Sequence, residues 1–240
     1  MTMNARLAPS VQVATVDAWR SRPNGTLVVH PDEVAREEPL EIRIAGEPLT
    51  VTMRTPGHDH ELVAGFLLAE GIIASRADLG GIQHCARPGT EGAQNTIDVL
   101  PAPGAVLEAE ATRRGTLTTS ACGVCGRKLI DDLLERLRPA APCPPFSRSF
   151  IARLSGELEK QQPSFQRTGG LHAAGIALGS AGLCVVREDV GRHNAVDKAI
   201  GRLLLDGRLP TLGALLVVSG RTSFEIVQKA LAAGLSGVVG

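Results

Sequence analysis

The sequence contains no tyrosine, and aromatic residues make up only 2% of its 240 residues. Proteins that bind single-stranded nucleic acids stack the bases on aromatic side chains, so this scarcity argues against that class. An excess of positive charge is also missing, because 25 Lys and Arg residues balance 25 Asp and Glu residues. Duplex binding depends on a basic surface that displaces counterions from the phosphates. We therefore expect no nucleic-acid partner.

The chain also lacks an apolar run of the roughly 18 residues that a membrane span requires. Residues 1–20 lack the basic stretch and apolar core that mark a secretory signal. The five cysteines are an odd number, unlike the paired framework of a small secreted protein. These features predict a cytoplasmic protein with reduced thiols and no membrane partner. A hydrophobic fraction of 43% excludes bulk disorder.

The hydrophobic pattern of the first half predicts short strands around one helix. Residues 1–25 look like a loose arm. Apolar residues that mostly alternate with polar ones predict a β-hairpin over 41–54 and a short strand over 96–100. A helix is expected over 59–70, with Asp59 as its N-cap.

The second half alternates between helices and strands, which is typical of a layered α/β sheet. Because the chain ends inside the last predicted strand, we expect the natural protein to continue beyond Gly240. Helices are predicted over 127–138, near 151–158, and over 194–205 and 224–233, and strands over 173–178, 183–187, 212–219 and 237–239.

The strongest local motif is Ser120-Ala121-Cys122-Gly123-Val124-Cys125-Gly126, at the predicted entrance of a helix. A helix N-terminus and the adjacent basic residues Arg127 and Lys128 favour the thiolate, which is the nucleophile and the metal ligand. A C-x-x-C pair is compatible with a redox dithiol, with half of a zinc site, or with a sulfur carrier. A thioredoxin-like oxidoreductase would carry its C-x-x-C pair in an early βαβ unit. Here a predicted hairpin and helix come first, which argues against an oxidoreductase of that kind.

A zinc site at this motif would need further ligands, because structural zinc takes four. The zinc deaminase signature pairs H-x-E with P-C-x-x-C, and the chain has neither the H-x-E nor the proline. We therefore expect no zinc. The residues that would have to complete a set are His58, His60, His84 and Cys85, and their spacing is not that of a zinc finger.

Two polar clusters follow predicted strands in the last third. Ligands bind at such strand ends in open α/β sheets, so we expect the first cluster to form a site. The second suits a phosphate through its backbone N–H groups, hydroxyls and arginine, although an ordinary helix cap explains it equally well. The clusters are Arg187-Glu188-Asp189-Val190-Gly191-Arg192-His193-Asn194 and Ser219-Gly220-Arg221-Thr222-Ser223.

Taken together, these segments resemble those of the formate dehydrogenase accessory sulfurtransferases, the FdhD family, over residues 25–240. The segments that carry the resemblance are 54–73, 122–126, 169–173 with 187–198, and 218–234. The resemblance implies an α/β (α+β) protein with a small β-rich domain over 25–115. It implies a second domain over 116–240, a three-layer α/β domain of cytidine-deaminase-like fold without zinc. Part of the family's cofactor-binding motif is expected beyond Gly240.

Members of this family carry sulfur from a cysteine desulfurase to the molybdenum cofactor of formate dehydrogenase, a bis-molybdopterin guanine dinucleotide. By resemblance, Cys122 carries the persulfide, Cys125 assists it, and the protein is a homodimer. The other cysteines have no matching role. From residue type, we expect the phosphates of the guanine dinucleotide to be held by Arg192, His193, Ser219, Gly220, Arg221, Thr222 and Ser223.

Two other functions use the same residues differently. A thiol–disulfide oxidoreductase would need both Cys122 and Cys125. A cofactor-binding chaperone without enzymatic activity would need neither, because its cysteines would be incidental.

Overall fold

The computed structural model describes residues 9–85, 94–107 and 140–240, and it describes Pro9 and Ser10 through their backbone alone. The helix predicted over 127–138 lies outside these residues. So do the Cys122–Cys125 motif and the domain boundary after residue 115.

The N-terminal part of the chain forms a two-stranded ribbon. Helix α1 (Pro9–Gln12) leads into strand β1 (Val13–Ser21), which pairs antiparallel with strand β2 (Leu27–Ala35). The expectation of a loose arm over 1–25 is therefore wrong for residues 13–21. The pattern was missed because both faces of the ribbon are largely solvent-exposed, so no buried stripe marks it. Hydrogen bonds and side-chain pairs across the strands stabilise it instead.

A four-stranded sheet follows, with the order β4-β3-β6-β5. Its hairpin turns at Ala45 and Gly46, whose φ angles of 51° and 84° are those of a type I′ turn. Strands β3 and β6 are parallel and the other neighbours antiparallel. The predicted hairpin and the strand near residue 96 are confirmed. The strands are β3 (Glu38–Ile44), β4 (Glu47–Arg54), β5 (Leu79–His84) and β6 (Thr96–Pro101).

Helix α2 (Asp59–Ala69) connects this hairpin to the later strands, through a short 3-10 helix at Arg76–Asp78. Asp59 is its first helical residue rather than its N-cap. The N-cap is His58, in the left-handed region at φ 58°. The Asp59 carboxylate instead accepts two hydrogen bonds from Arg54, at 3.1 and 3.0 Å.

The C-terminal part contains a second four-stranded sheet, with the order β10-β9-β7-β8. Strand β7 is antiparallel to both of its neighbours, and β9 and β10 are parallel. The elements are α3 (Arg148–Lys160), α4 (Pro163–Thr168), β7 (His172–Leu178), β8 (Leu183–Asp189), α5 (Arg192–Leu205), β9 (Ala214–Val218), α6 (Phe224–Ala232) and β10 (Gly237–Val239).

Helices cover both faces of this second sheet. Ala173 and Ala177 of β7 pack in one hydrophobic cluster with Leu154 of α3. Their neighbours Ala174 and Ile176 point to the opposite face and pack in the larger cluster that contains α5 and α6. Successive strand residues point to opposite faces, so this alternation produces three layers. The predicted mixed α/β architecture is confirmed.

Helices α2 and α5 cross at very short range. A Cβ atom added to Gly65 of α2 would lie 2.0 Å from the carbonyl oxygen of Asp197, and one added to Gly201 of α5 would lie 1.8 Å from that of Glu61. Only glycine permits this approach of two backbones. The crossing brings the first sheet, which packs on α2, into one hydrophobic core with the second.

No helix among residues 9–85, 94–107 and 140–240 is long and apolar enough to cross a membrane.

The crossing predicts a sharp difference between glycines. Gly65→Ala should destabilise the protein by about 3 kcal/mol, because the overpacked backbone cannot relax without separating the helices. Gly156→Ala on α3 is the matched control, since nothing lies within 4 Å of its added Cβ. That change should stabilise the helix by about 0.5 kcal/mol. Urea unfolding followed by circular dichroism measures both, and similar midpoints for the two variants would contradict the close crossing.

Candidate functional site

The second sheet brings the two polar clusters of the sequence to one edge. His172 at the start of β7 pairs with Asp189 at the end of β8. On the other side of β7, the backbone N–H of Ser219 donates to Ala173 O at 2.9 Å, and the Ala173 N–H donates to Ser219 Oγ at 2.9 Å. Because β7 runs against both neighbours, the segments that follow β8 and β9 meet beside its first residue. We call this edge the strand-end site.

The turn after β9 lies against the start of α5. A Cβ atom added to Gly220 would lie 3.4 Å from Nδ1 of His172 and 3.8 Å from Cβ of Arg192. A Cβ added to Gly240, beyond β10, would lie 2.7 Å from Oγ1 of Thr222. The structure thus places Gly220 of this turn beside His172 and Arg192, and Thr222 beside Gly240.

His193, the second residue of α5, is paired with a residue that sequence reasoning missed. Its Nε2 lies 2.6 Å from Oε2 of Glu225, in the first turn of α6. Burial lowers the pKa of His193, the Glu225 carboxylate opposes this, and the positive charges of Lys229 and Arg192 add to the lowering. The ring is therefore neutral at pH 7. In the sequence, an acidic residue two positions after Ser223 is the signal that could have indicated this partner.

The start of α6 is not capped by its own side chain. Ser223 is the N-cap residue, yet its hydroxyl makes no capping hydrogen bond. Its Oγ is buried and has no hydrogen-bond partner among the described residues. An ordinary serine cap would accept from a backbone N–H of the first turn. Backbone N–H groups at a helix start without a side-chain cap can bind an anion, and the phosphate interpretation of residues 219–223 stays a prediction.

Most of the first cluster serves the fold rather than a ligand. Lys198 Nζ lies 2.6 Å from Oδ2 of Asp189, and both side chains are fully buried. Lys198 also donates to Thr55 O at 2.7 Å, and the Thr55 N–H donates to Asp189 Oδ2 at 3.1 Å. The other carboxylate oxygen of Asp189 accepts from the Gly191 N–H at 2.8 Å and from Asn194 Nδ2 at 3.1 Å. This network joins β8 and α5 to the turn before α2.

The neighbouring charges of β8 are also used internally. Arg187 donates to the two carboxylate oxygens of Glu61 on α2, at 2.5 and 2.9 Å. Glu188 accepts from the backbone N–H groups of Ser164 and Phe165 at the start of α4, at 3.1 and 2.7 Å. From the predicted cluster, Arg192 and His193 therefore remain for the strand-end site.

The Glu61 carboxylate is held ionised. Its burial raises the pKa, but hydrogen bonds from Arg187 and His58 outweigh this and lower it from 4.5 to about 2. A folded-state pKa below the unfolded value stabilises the protein above pH 4.5, and this contribution is lost as the pH falls toward 2.

The cysteines within the described residues are free thiols. The Cys184 thiol donates to Ile176 O at 3.2 Å, and burial raises its pKa. Slight burial and the Asp98 carboxylate raise the pKa of Cys85. Neither environment favours a nucleophilic thiolate, which agrees with the assignment of both as ordinary thiols. Within the described ranges, no group of three or more His, Cys, Asp or Glu side chains is arranged to hold a metal ion.

The Glu61 pair predicts an acid-dependent change in stability. Glu61→Gln should lower the free energy of unfolding by about 3 kcal/mol at pH 7, because it leaves the Arg187 charge buried without its partner. The difference between variant and wild type should narrow between pH 4.5 and pH 3. Glu157→Gln removes a more exposed ion pair with Arg153 on α3 and should cost below about 0.5 kcal/mol. Urea unfolding across this pH range tests the pair, and a pH-independent difference would refute it.

The sequence of this chain is similar to those of known proteins of one family. The model of the FdhD/NarQ family matches residues 35–240. A sulfur carrier protein FdhD from Corynebacterium efficiens is 49% identical over 216 residues, which cover 87% of this chain and 78% of the relative. The sulfur carrier protein FdhD of Anaeromyxobacter dehalogenans is 51% identical over 214 residues, which cover 85% and 74%.

A solved structure agrees with these sequence matches. The crystal structure of a proposed formate dehydrogenase accessory protein from Desulfotalea psychrophila superposes with a TM-score of 0.70 at 26% sequence identity. The match covers 95% of this chain and 82% of that one. With a family model that spans most of the chain, and relatives at about half identity, this protein belongs to the FdhD/NarQ family.

Proposed function

We propose that this protein is a sulfur carrier. It accepts persulfide sulfur from a cysteine desulfurase and transfers it to bis-molybdopterin guanine dinucleotide, the molybdenum cofactor that formate dehydrogenase requires. The observation that carries the proposal is the Cys122-Gly123-Val124-Cys125 motif in a chain 49% identical to a sulfur carrier protein FdhD. The resemblance also implies that the protein acts in the cytoplasm as a homodimer.

In the proposed chemistry Cys122 is the nucleophile. Its thiolate attacks the outer sulfur of the desulfurase persulfide, the old sulfur–sulfur bond breaks, and the desulfurase cysteine leaves as a thiolate. Cys122 would then hold the persulfide and pass its outer sulfur to the molybdenum of the cofactor, which is the substrate of this step. The sulfur–sulfur bond breaks, Cys122 leaves as the thiolate, and the two electrons that convert the sulfane sulfur to a sulfido ligand come from molybdenum, which is oxidised from Mo(IV) to Mo(VI). Cys125 assists this exchange from three positions away.

The strand-end site is the proposed binding place for the guanine dinucleotide. Arg192 supplies a permanent positive charge, and the uncapped start of α6 supplies backbone N–H donors. The hydroxyls of Ser219 and Thr222 add donors for phosphate oxygens. Nε2 of His193 is directed at Glu225, so a contact of this ring with the phosphates stays a prediction. The described residues thus support a substrate site built from the sheet edge, while the sulfur is carried on the Cys122 segment.

Sulfur loading distinguishes the proposed carrier from its alternatives. After incubation with a cysteine desulfurase and L-cysteine, intact mass and peptide mapping should find a reducible gain of sulfur on the Cys122 peptide. Cys122→Ala should abolish the gain. Cys125→Ala should retain it, because a carrier needs one acceptor thiol whereas a dithiol oxidoreductase needs two. Cys85→Ala, at an exposed free thiol, is the control and should load normally.

The loading experiment can fail in two informative ways. Absence of sulfur on wild-type protein, with a desulfurase active toward another acceptor, would reject the carrier function. Activation of formate dehydrogenase by Cys122→Ala would favour a chaperone with incidental cysteines.

The nucleotide site has its own test. Arg192→Ala should weaken the binding of GDP by at least tenfold, because hydrogen bonds to a charged partner contribute about 1.5 kcal/mol or more. Arg153→Ala removes an exposed arginine of α3 and should leave the affinity unchanged. Isothermal titration calorimetry measures both. Equal affinities of wild type and Arg192→Ala would place the nucleotide elsewhere.

A further inference from the structure

Helices α5 and α6 contact each other through two polar pairs that lie one helical turn apart. The outer pair is His193 and Glu225, at 2.6 Å. The inner pair is Asp197 and Lys229, whose Nζ lies 2.8 and 2.9 Å from the two carboxylate oxygens. Residues four positions apart share one helix face. The inner pair therefore lies directly behind the outer pair, which faces the strand-end site.

The inner pair is enclosed by the protein. The exposed fraction of the side chain is 9% for Lys229 and 3% for Asp197. The other buried residues of α6 are Ile226 and Ala230, so a charged group occupies one of few packing positions on a short helix. Apolar residues of similar volume often stabilise a fold as well as a buried ion pair does. The ion pair adds geometric specificity to the helix contact, because two hydrogen bonds to one carboxylate hold α6 in one register against α5.

We propose that Asp197 and Lys229 are positioning residues for the strand-end site, and that they hold the first turn of α6 in the register that accepts an anionic ligand. The inference rests on the anion site of the proposed function. The buried, unpartnered Oγ of Ser223 lies directly before α6, and the turn from Gly220, which lies beside His172, leads into this helix. A shift of α6 would displace Ser223 and the end of this turn.

The charges around the inner pair make its effect dependent on pH. Asp197 faces Lys229 from α6, Glu70 from the end of α2 and Asp189 from β8. Burial raises the pKa of Asp197 to about 6, Lys229 opposes this, and the two carboxylates raise it further. Lys229 in turn faces Glu70 and Glu225 as well as Asp197, and it stays protonated. The pair is complete above pH 6 and loses the Asp197 charge below it.

The outer pair titrates too, but it can be separated from the inner pair by comparison. His193 faces Glu225, Lys229, Arg192 and His172. Its protonation at low pH adds positive charge at the site and should strengthen anion binding. A variant that lacks only the inner pair keeps His193 and Glu225. Because Lys229 also lowers the pKa of His193, the cleanest comparison is Asp197→Asn, which keeps the Lys229 charge. The ratio of the GDP dissociation constant of this variant to that of wild type reports mainly the inner pair.

The decisive variant is the double change Asp197→Leu and Lys229→Met, which replaces the pair by apolar residues. We expect a melting temperature close to that of wild type. The dissociation constant for GDP should rise at least fivefold at pH 7.5, and the ratio to wild type should fall toward one at pH 5. The single change Lys229→Arg keeps the positive charge and its hydrogen-bond donors beside Asp197. This variant should retain most of the GDP affinity of wild type and its pH dependence. Isothermal titration calorimetry at several pH values supplies these constants.

A matched control separates positioning from general loosening of the helix. Ile226→Val trims the buried face of α6 without changing its charge, and its affinity ratio should stay near one at every pH. Should the double variant fail to fold, Asp197→Asn keeps the shape and one acceptor, and it should show the same pH-dependent ratio.

The outcomes are distinguishable. If the variants without the inner charge pair bind GDP as tightly as wild type at pH 7.5, or with a pH-independent ratio, the positioning role is overturned while the anion site stands. If wild type binds no GDP, the anion site of the proposed function falls and this inference falls with it, whereas sulfur loading on Cys122 is judged separately.

Discussion

The close crossing of α2 and α5 is the constraint on which the rest of the structure depends. Gly65 and Gly201 let the two backbones touch, and this contact sets the distance across which Glu61 and Thr55 reach the second sheet. Glu61 then reaches Arg187, and Thr55 reaches the buried pair of β8 and α5. A wider crossing would leave these charged groups buried without partners, which costs several kcal/mol for each. The charged pairs therefore form only when the two helix backbones are in contact.

The same constraint explains how the protein uses its charges. Asp189 and Arg187 look like ligand-binding residues in the sequence because of their place at the end of a strand, yet Asp189 pairs with Lys198 of α5 and Arg187 with Glu61 of α2. What remains at the sheet edge is a small set: Arg192, the His193–Glu225 pair and the turn after β9. An edge of this kind has the permanent positive charges of Arg192 and Arg221 together with backbone donors. It suits an anion held by directed hydrogen bonds.

The proposed function divides the work between two parts of the chain. The strand-end site is built from rigid elements, which suits recognition of a large anionic substrate. The proposed sulfur-carrying cysteine lies on a glycine-flanked segment, which suits an exchange with one protein and then with a cofactor. Such a division would let one carrier engage a desulfurase and a cofactor in turn. The antiparallel course of β7 forms the strand-end site, since it places the segments after β8 and β9 side by side.

Much of this molecule follows from local sequence alone. Alternation of apolar residues predicts the hairpin and the buried strands, and their helical spacing predicts α2, α5 and α6, because these periods reflect backbone geometry within a few residues. The polar clusters after β8 and β9 are visible in the same way. Other features depend on residues far apart in the chain. The ribbon of residues 13–35 has no buried stripe to mark it, and Asp59 turns from capping α2 to pairing with Arg54.

Only the tertiary structure decided which charges face a ligand and which are enclosed. Glu225 meets His193, and Lys229 meets Asp197 one turn later, because two helices separated by a strand in the sequence lie against each other over their first two turns. The sequence determined which side chains each element carries and which face they share. Their partners were set by the close crossing of backbones and by the order of strands in the sheet, and neither leaves a local pattern in the chain.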